Sequence, residues 1–225
     1  MISIAHLGPP GSYSELAATN YAYWLKNHKS QASVLEPYST IAKAIQAAAS
    51  GEADTAIVPI ENSIGGSVRD TLDMLWELDN LKIQNNLVFP IHHALLSHAS
   101  NLSTITTIYS HPQALTQCQK WLAVHLPHAV QVATSSTTEA LPTLAKDNAL
   151  AAISPLWAAK LYNIPTLADP INDNPDNATR FWILSQQVSN YGSHTSLAFR
   201  LPDNTPGALL KPLQLFATQG IKMSR

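Results

Sequence analysis

Short runs of β-branched and apolar residues alternate along this chain with segments whose apolar residues recur every three or four positions. Such alternation predicts strands interleaved with helices, an α/β architecture. Ile2–Leu7 reads as a strand, followed by the turn Gly8-Pro9-Pro10-Gly11. Ser12 and Glu15 have capping-box spacing, and Ala17, Tyr21, Trp24, Leu25 and His28 mark one face of the helix they open. Val34–Leu35 is a short strand, and Ser39 caps a helix carrying Ile41, Ala44, Ile45 and Ala48 that stops near Gly51. Strand Ala56–Ile60 precedes a helix with Val68, Leu72, Leu75 and Leu78 inward, and Leu81–Leu96 is extended. Further strands are expected at Ile105–Tyr109, Val130–Ala133, Ala149–Ile153 and Phe181–Leu184. Helices are expected after Ser110 (as cap, with Leu115, Cys118 and Leu122 inward), from Thr134 to Glu139 and beyond, and after Pro155 as far as Tyr162. The segment 186–194 is polar and reads as a linker; Ser196–Leu201 reads as a strand and Pro206–Gly220 as a helix.

Polar residues cluster where strands end and helices begin, at 11–14, 61–67, 110–113 and 134–138. Ligands of open α/β sheets bind at those strand ends, and free N–H groups of helix N-termini favour anions. Composition fits. With 225 residues the chain can bury a full core, and its 45% hydrophobic content excludes a disordered or fibrous protein. Charged residues are only 12% and net charge is −2, with no Lys/Arg cluster for nucleic acid. No apolar run reaches membrane-spanning length, and the N-terminus starts as a strand without a leader pattern, so a cytoplasmic location is expected. Cys118 stands alone in an apolar stripe and is expected to be a core residue.

The chain has four arginines, and one of them sits in Thr179-Arg180-Phe181, where the polar turn 172–177 meets a buried strand. Arg grips carboxylates through two parallel hydrogen bonds, and a Thr hydroxyl both donates and accepts. The motif therefore suits a small organic acid, although an Arg that merely anchors the preceding Asp/Asn turn fits it equally well. Pro59-Ile60-Glu61-Asn62-Ser63 ends a buried strand in three hydrogen-bonding residues, more than a helix cap needs. Gln113 and Gln117 lie one turn apart on one helix face. His92-His93 and the pair His125/His128 lack the ligand spacing of a metal site, and no phosphate loop or nucleophile elbow is present. Asp169, Asp173 and Asp176 read as turn formers.

Five collinear motifs between residues 7 and 184 resemble the prephenate dehydratase family. Leu7-Gly8-Pro9-Pro10-Gly11-Ser12-Tyr13-Ser14 approximates its opening pattern, with Ser12 and Tyr13 as conservative departures. Pro59–Ser63, Ser110–Leu115 with Gln117-Cys118, Ser136-Thr137 and Asn177–Phe181 match its remaining motifs. The resemblance implies two α/β lobes with a cleft, similar to type II periplasmic binding proteins. Residues 1–185 would form the catalytic domain, lobe one being about 1–78 plus 178–185 and lobe two about 84–168. It implies conversion of prephenate, a small-molecule dianion, to phenylpyruvate, water and carbon dioxide in phenylalanine biosynthesis, with no cofactor or metal. Thr179 would act on the leaving hydroxyl as a positioned donor. Arg180 and the helix N-termini near Ser12 and Ser136 would bind carboxylates. Asn62, Ser63, Ser110, Gln113, Gln117, Thr137 and Phe181 would complete the substrate site.

Residues 195–225 resemble the start of the ACT regulatory domain of that family, with Gly207-Ala208-Leu209 in its ligand loop. L-Phenylalanine is thus an expected allosteric ligand of the full-length protein, and a homodimer or higher homo-oligomer is expected; nucleic-acid and membrane partners are not. Arogenate dehydration, the same chemistry on the amino analogue, is an alternative. A non-catalytic bilobal binding protein is another.

Overall fold

A computed structural model describes residues 1–189, 192–202 and 205–223, which form two compact units, Met1–Tyr191 and Gly192–Arg225. The first unit contains two sheets. Strands β1 (Ile2–Leu7), β2 (Ser33–Tyr38), β3 (Thr55–Asn62), β4 (Gly66–Ser67), β5 (Lys82–Pro90) and β11 (Ala178–Ser185) make the first, in the order β2-β1-β3-β11-β5 with β4 against β3. Strands β6 (His93–Leu96), β7 (Thr107–Ser110), β8 (Val130–Ala133), β9 (Leu150–Pro155) and β10 (Thr166–Ala168) make the second, in the order β10-β6-β9-β7-β8. Helices α1 (Tyr13–Lys29), α2 (Ile41–Ser50) and α3 (Arg69–Glu77) accompany the first sheet. Helices α4 (Pro112–Thr116), α5 (Gln119–His125) and α6 (Leu156–Tyr162) accompany the second. The expected bilobal α/β fold is the one observed.

Each lobe has apolar clusters of its own. Ile4, Ala17, Leu25, Ile57, Phe181 and Ile183 pack together in the first lobe, and Ala5, Ile45, Ala48, Val58 and Leu184 form a second cluster there. Leu95, Ile108, Cys118, Leu122 and Ile153 form one core of the second lobe; burial pushes the Cys118 thiol up to about 12, as suits an inert core residue. The chain crosses between sheets at 91–92 and 169–177, and the crossovers are stitched together. Ile91 N–H donates to Asn177 O (2.8 Å), Asn172 Nδ2 to Ile91 O (2.6 Å) and Ile171 N–H to His93 O (2.9 Å).

Several elements differ from expectation for identifiable reasons. β5 pairs with β11 along its whole length, so residues 84–90 belong to the first lobe. Trp24 and His28 stack on each other in the open, and α1 buries Ser14, Ala17, Ala18 and Leu25 instead. Thr40, not Ser39, caps α2, and Leu72 is exposed while Thr71 turns inward to Pro59 O (2.6 Å). The helix after Ser110 breaks in two because Asp173, from the second crossover, accepts the N–H groups of Lys120 (2.9 Å) and Trp121 (3.1 Å) and starts α5 afresh. No helix forms over 134–139. Glu139 takes the N–H (2.6 Å) and hydroxyl (2.7 Å) of Ser135, Thr134 Oγ1 donates to Ser136 O (2.8 Å), and only a 3₁₀ turn, Leu141–Lys146, follows.

Of the linker expected at 186–194, residues 190 and 191 lie outside the described residues; β11 ends just before it, at Ser185. In the second unit, 196–201 is not a strand, and α7 (Leu210–Thr218) begins later than the sequence pattern suggested. Pro212 is third in α7, where its missing N–H costs no intrahelical bond. Residues 203, 204, 224 and 225 of the expected ACT segment also lie outside the described residues.

Candidate active site

The carboxyl ends of β3 and β7 point toward the junction of the two lobes, and β11 begins there. Asn62 ends β3 and is the cross-strand partner of Thr179. Period-two alternation then decides the fate of the Thr179-Arg180-Phe181 motif. Thr179 faces a cavity of about 90 Å3 whose walls also include Tyr13, Asn62, His93, His111, Gln113, Gln117 and Thr137. Arg180 faces away: its Nη1 donates to Asn86 Oδ1 (3.0 Å), its Nε lies 3.9 Å from Glu61, and its side chain is 46% exposed. The carboxylate grip expected of Arg180 is therefore not formed at this cavity. Phe181 is 1% exposed and meets Phe89 edge-on, which makes it a core residue rather than a wall of the site.

Asn62 is the hub. Its Oδ1 accepts the backbone N–H of Ile64 (3.1 Å) and Gly65 (2.8 Å), and its Nδ2 donates to Ala178 O (3.2 Å). Backbone groups have fixed polarity, so the orientation of the Asn62 amide is fixed too. The two Nδ2 hydrogens are then shared among Ala178 O, Thr179 Oγ1 (2.9 Å) and Asn177 Oδ1 (2.8 Å). From the second lobe, Gln113 Nε2 and Gln117 Nε2 each donate to Asn62 Oδ1 at 3.3 Å. The two Gln residues expected on one face converge on Asn62; Gln117 closes α4 with its N–H on Gln113 O (3.1 Å), and the helix break follows it. A Cβ on Gly65 would stand 2.4 Å from Gln113 Nε2, so only glycine allows this approach.

The other expected site residues have structural duties. Ser12 caps α1, accepting Glu15 N–H (3.2 Å), while the Glu15 carboxylate takes Gly11 N–H (2.6 Å). The chain's own carboxylate thus occupies the helix N-terminus expected to receive a substrate anion. The second such terminus, at Ser136, is missing because no helix starts there; Ser136 Oγ is buried without a partner, and its neighbour Thr137 lines the cavity. Ser110 Oγ donates to Ile153 O (2.6 Å) within the second sheet, and neither it nor Ser63 lines the cavity. Ser63 N–H donates to Ala178 O (2.8 Å) and Ser63 Oγ accepts Ala178 N–H (2.9 Å), tying the approach to β11. In the second unit Gly207, Ala208 and Leu209 form a turn before α7, with Gly207 at φ +82°.

Three aromatic rings at the cavity escaped the sequence reading as site residues. Tyr13 donates its hydroxyl to His92 O (2.5 Å), and burial pushes its phenol above the usual range. Its place beside Ser12 in the opening motif was the available signal. His111 Nδ1 accepts Gln113 N–H (3.2 Å), so in the neutral ring the proton sits on Nε2; burial lowers its pKa from 6.5. His93 is 3% exposed and bonds Gln117 Oε1 through Nε2 (2.9 Å). No Lys or Arg lines the cavity, and among the described residues no cluster of three or more His, Cys, Asp or Glu could hold a metal. No described helix is long and apolar enough to cross a membrane.

Residues 4–189 match the family model of prephenate dehydratase. The prephenate dehydratase of Lactococcus lactis subsp. cremoris is 37% identical over 232 residues, covering 100% of this chain and 80% of the relative. Among solved structures, prephenate dehydratase from Arthrobacter aurescens in complex with L-Phe superposes with TM-score 0.80 at 33% identity, over 100% of this chain and 74% of that one. A protein described as a quorum-quenching acylase, GqqA, superposes at 0.74 with 28% identity over 99% of this chain and 80% of its own. A methionine-bound nutrient-binding protein from Burkholderia cenocepacia shares the fold, with TM-score 0.51 at 11% identity over 83% and 85% of the two chains.

Proposed function

The chain belongs to the prephenate dehydratase family, and we propose that it is a carbon–oxygen lyase converting prephenate to phenylpyruvate, water and carbon dioxide. The observation that carries this reading is the polarity at Thr179. Because Asn62 Nδ2 donates to Thr179 Oγ1, the threonine does not spend its own proton on Asn62 and can offer it to a molecule in the cavity that it lines. A donor aimed at a leaving hydroxyl is what the reaction requires. As the ring C–OH bond breaks, its electron pair goes to oxygen, which takes up a proton and leaves as water. The pair of the ring carbon–carboxylate bond moves into the ring, which becomes aromatic as carbon dioxide departs.

A threonine hydroxyl is too weak an acid to be the ultimate proton source, so Thr179 positions and relays a proton supplied by water. With no Arg or Lys in the cavity wall, the ring carboxylate is met by neutral donors such as Gln113 Nε2 and His111 Nε2–H. Neutral donors stabilise that carboxylate less than a cation would, which lowers the cost of losing it. The cavity is small against the ~300–1,000 Å3 usual for ligand sites. Admitting the substrate therefore needs side chains around the cavity to move, Gln113 with its 3.3 Å contact to Asn62 among them. Acyl transfer is less well supported at Thr179, since Oγ1 accepts from an amide, and the bonds of His93 and His111 go to Gln117 and Gln113.

Residues 1–185 would carry the catalysis, and 195–225 would be the start of a regulatory ACT domain with Gly207, Ala208 and Leu209 in its L-phenylalanine loop. The L-Phe complex of the Arthrobacter relative supports that ligand. The reading also takes the protein as a cytoplasmic homo-oligomer. The test is incubation of the purified chain with prephenate at neutral pH, followed by phenylpyruvate release, with arogenate in parallel. Turnover of prephenate that falls at least a hundredfold in Thr179→Ala, with binding retained, is expected. Near-parental turnover of that variant removes Thr179 from the mechanism.

A further inference from the structure

His93 lines the cavity, and its Nδ1 is buried, without a partner and without a part in the chemistry above. Its protonation follows from the hydrogen-bond chain that starts at backbone atoms. Ile64 N–H, Gly65 N–H and Ala178 O orient the Asn62 amide. Gln117 must then present Nε2 to Asn62 Oδ1, which turns its Oε1 toward Asn177 Nδ2 (2.9 Å) and His93 Nε2 (2.9 Å). An amide oxygen only accepts, so His93 Nε2 carries the proton and Nδ1 carries a lone pair. Burial lowers the pKa of this ring below its usual 6.5, which keeps the lone pair at neutral pH.

We propose that His93 is a ligand-binding residue whose Nδ1 accepts a hydrogen bond from the ring hydroxyl of the molecule bound at Thr179. The inference rests on the functional reading above for the identity of that molecule. Thr179 and His93 flank the Asn62–Gln117 pair, one offering a proton and the other a lone pair. A hydroxyl answers both, because it accepts and donates at once. A carboxylate or a keto oxygen facing Nδ1 would set lone pair against lone pair. His93 thereby turns the leaving oxygen so that its own lone pair faces Thr179, and it rejects ligands that place an acceptor there.

Two measurements test this. Nitrogen-15 NMR of the full chain reads the His93 tautomer without any ligand; protonated Nε2 with bare Nδ1 is expected, and protonated Nδ1 overturns the proposal. The second compares binding of a stable cyclohexane dicarboxylate carrying the ring hydroxyl with its deoxy counterpart. His93→Gln keeps a donor for Gln117 at the Nε2 position and puts no acceptor at the Nδ1 position, so its preference for the hydroxylated compound should drop about tenfold at an unchanged urea midpoint at neutral pH. His93→Asn places an oxygen near the Nδ1 position and should keep that preference. Undiminished selectivity in His93→Gln sinks the idea. Because binding is read without turnover, absence of prephenate conversion would refute the functional reading and leave the His93 result standing separately.

Discussion

Replacing Asn62 by aspartate changes one atom at the centre of the site. Nδ2 now shares its two hydrogens among Thr179 Oγ1 (2.9 Å), Asn177 Oδ1 (2.8 Å) and Ala178 O (3.2 Å). In Asn62→Asp an acceptor oxygen faces all three. The Ala178 carbonyl has no proton to give, and Asn177 is held by its bond to Gln117 (2.9 Å). Only the Thr179 hydroxyl can turn, and it would donate to the new carboxylate. A hydrogen bond to a charged group contributes about 1.5–3 kcal/mol, which must be given up before Thr179 can serve the substrate. Turnover should therefore fall about 10- to 150-fold at neutral pH. Stability should fall by about 1–3 kcal/mol from the unsatisfied acceptors, partly offset where Ile64 and Gly65 N–H now meet a charge. Steady-state kinetics with a urea melt separates the two effects. A buried carboxyl without a cation is protonated readily, and once protonated it donates again, so activity should recover as pH is lowered. Neutral-pH turnover within twofold of the parent would refute the reasoning, because Thr179 would then not depend on the polarity of Asn62.

Arg180→Ala should leave turnover nearly unchanged and cost at most about 1 kcal/mol, since its partners are on the exposed face; Phe181→Ala should cost about 3–5 kcal/mol of core packing in a urea melt. A large rise in KM for Arg180→Ala would restore the carboxylate grip. Gly65→Ala should push Gln113 off Asn62 without unfolding the chain, because the atom met is the free end of a flexible side chain; loss of the Gln113 side-chain amide shift change on ligand binding would report it. His6, His93 and His111 have pKa values lowered from 6.5 chiefly by burial. Below 6.5 the unfolded chain binds these protons and the folded one does not, so these groups cost stability as pH falls from 6.5 and cost nothing well above it. Urea midpoints between pH 5 and 8 should show that slope, and His93→Gln should make it shallower.

Hydrophobic periodicity alone placed most of the strands, the long first helix and the α/β class, because those patterns reflect local geometry that every such fold shares. Collinear motifs alone pointed to the family and to Thr179, Asn62, Gln113 and Gln117, residues that the cavity does bring together. Tertiary structure decided the rest. Whether Thr179 or Arg180 faces the cleft is a choice between two faces of one strand, and only the packing of β11 between β3 and β5 makes it. The helix break before α5 needed Asp173 from a crossover more than fifty residues away, a contact no local pattern contains. Sequence could name His93 only as one of two adjacent histidines. Its bare Nδ1 follows because three amides and three backbone groups, drawn from both lobes, leave it a single protonation state.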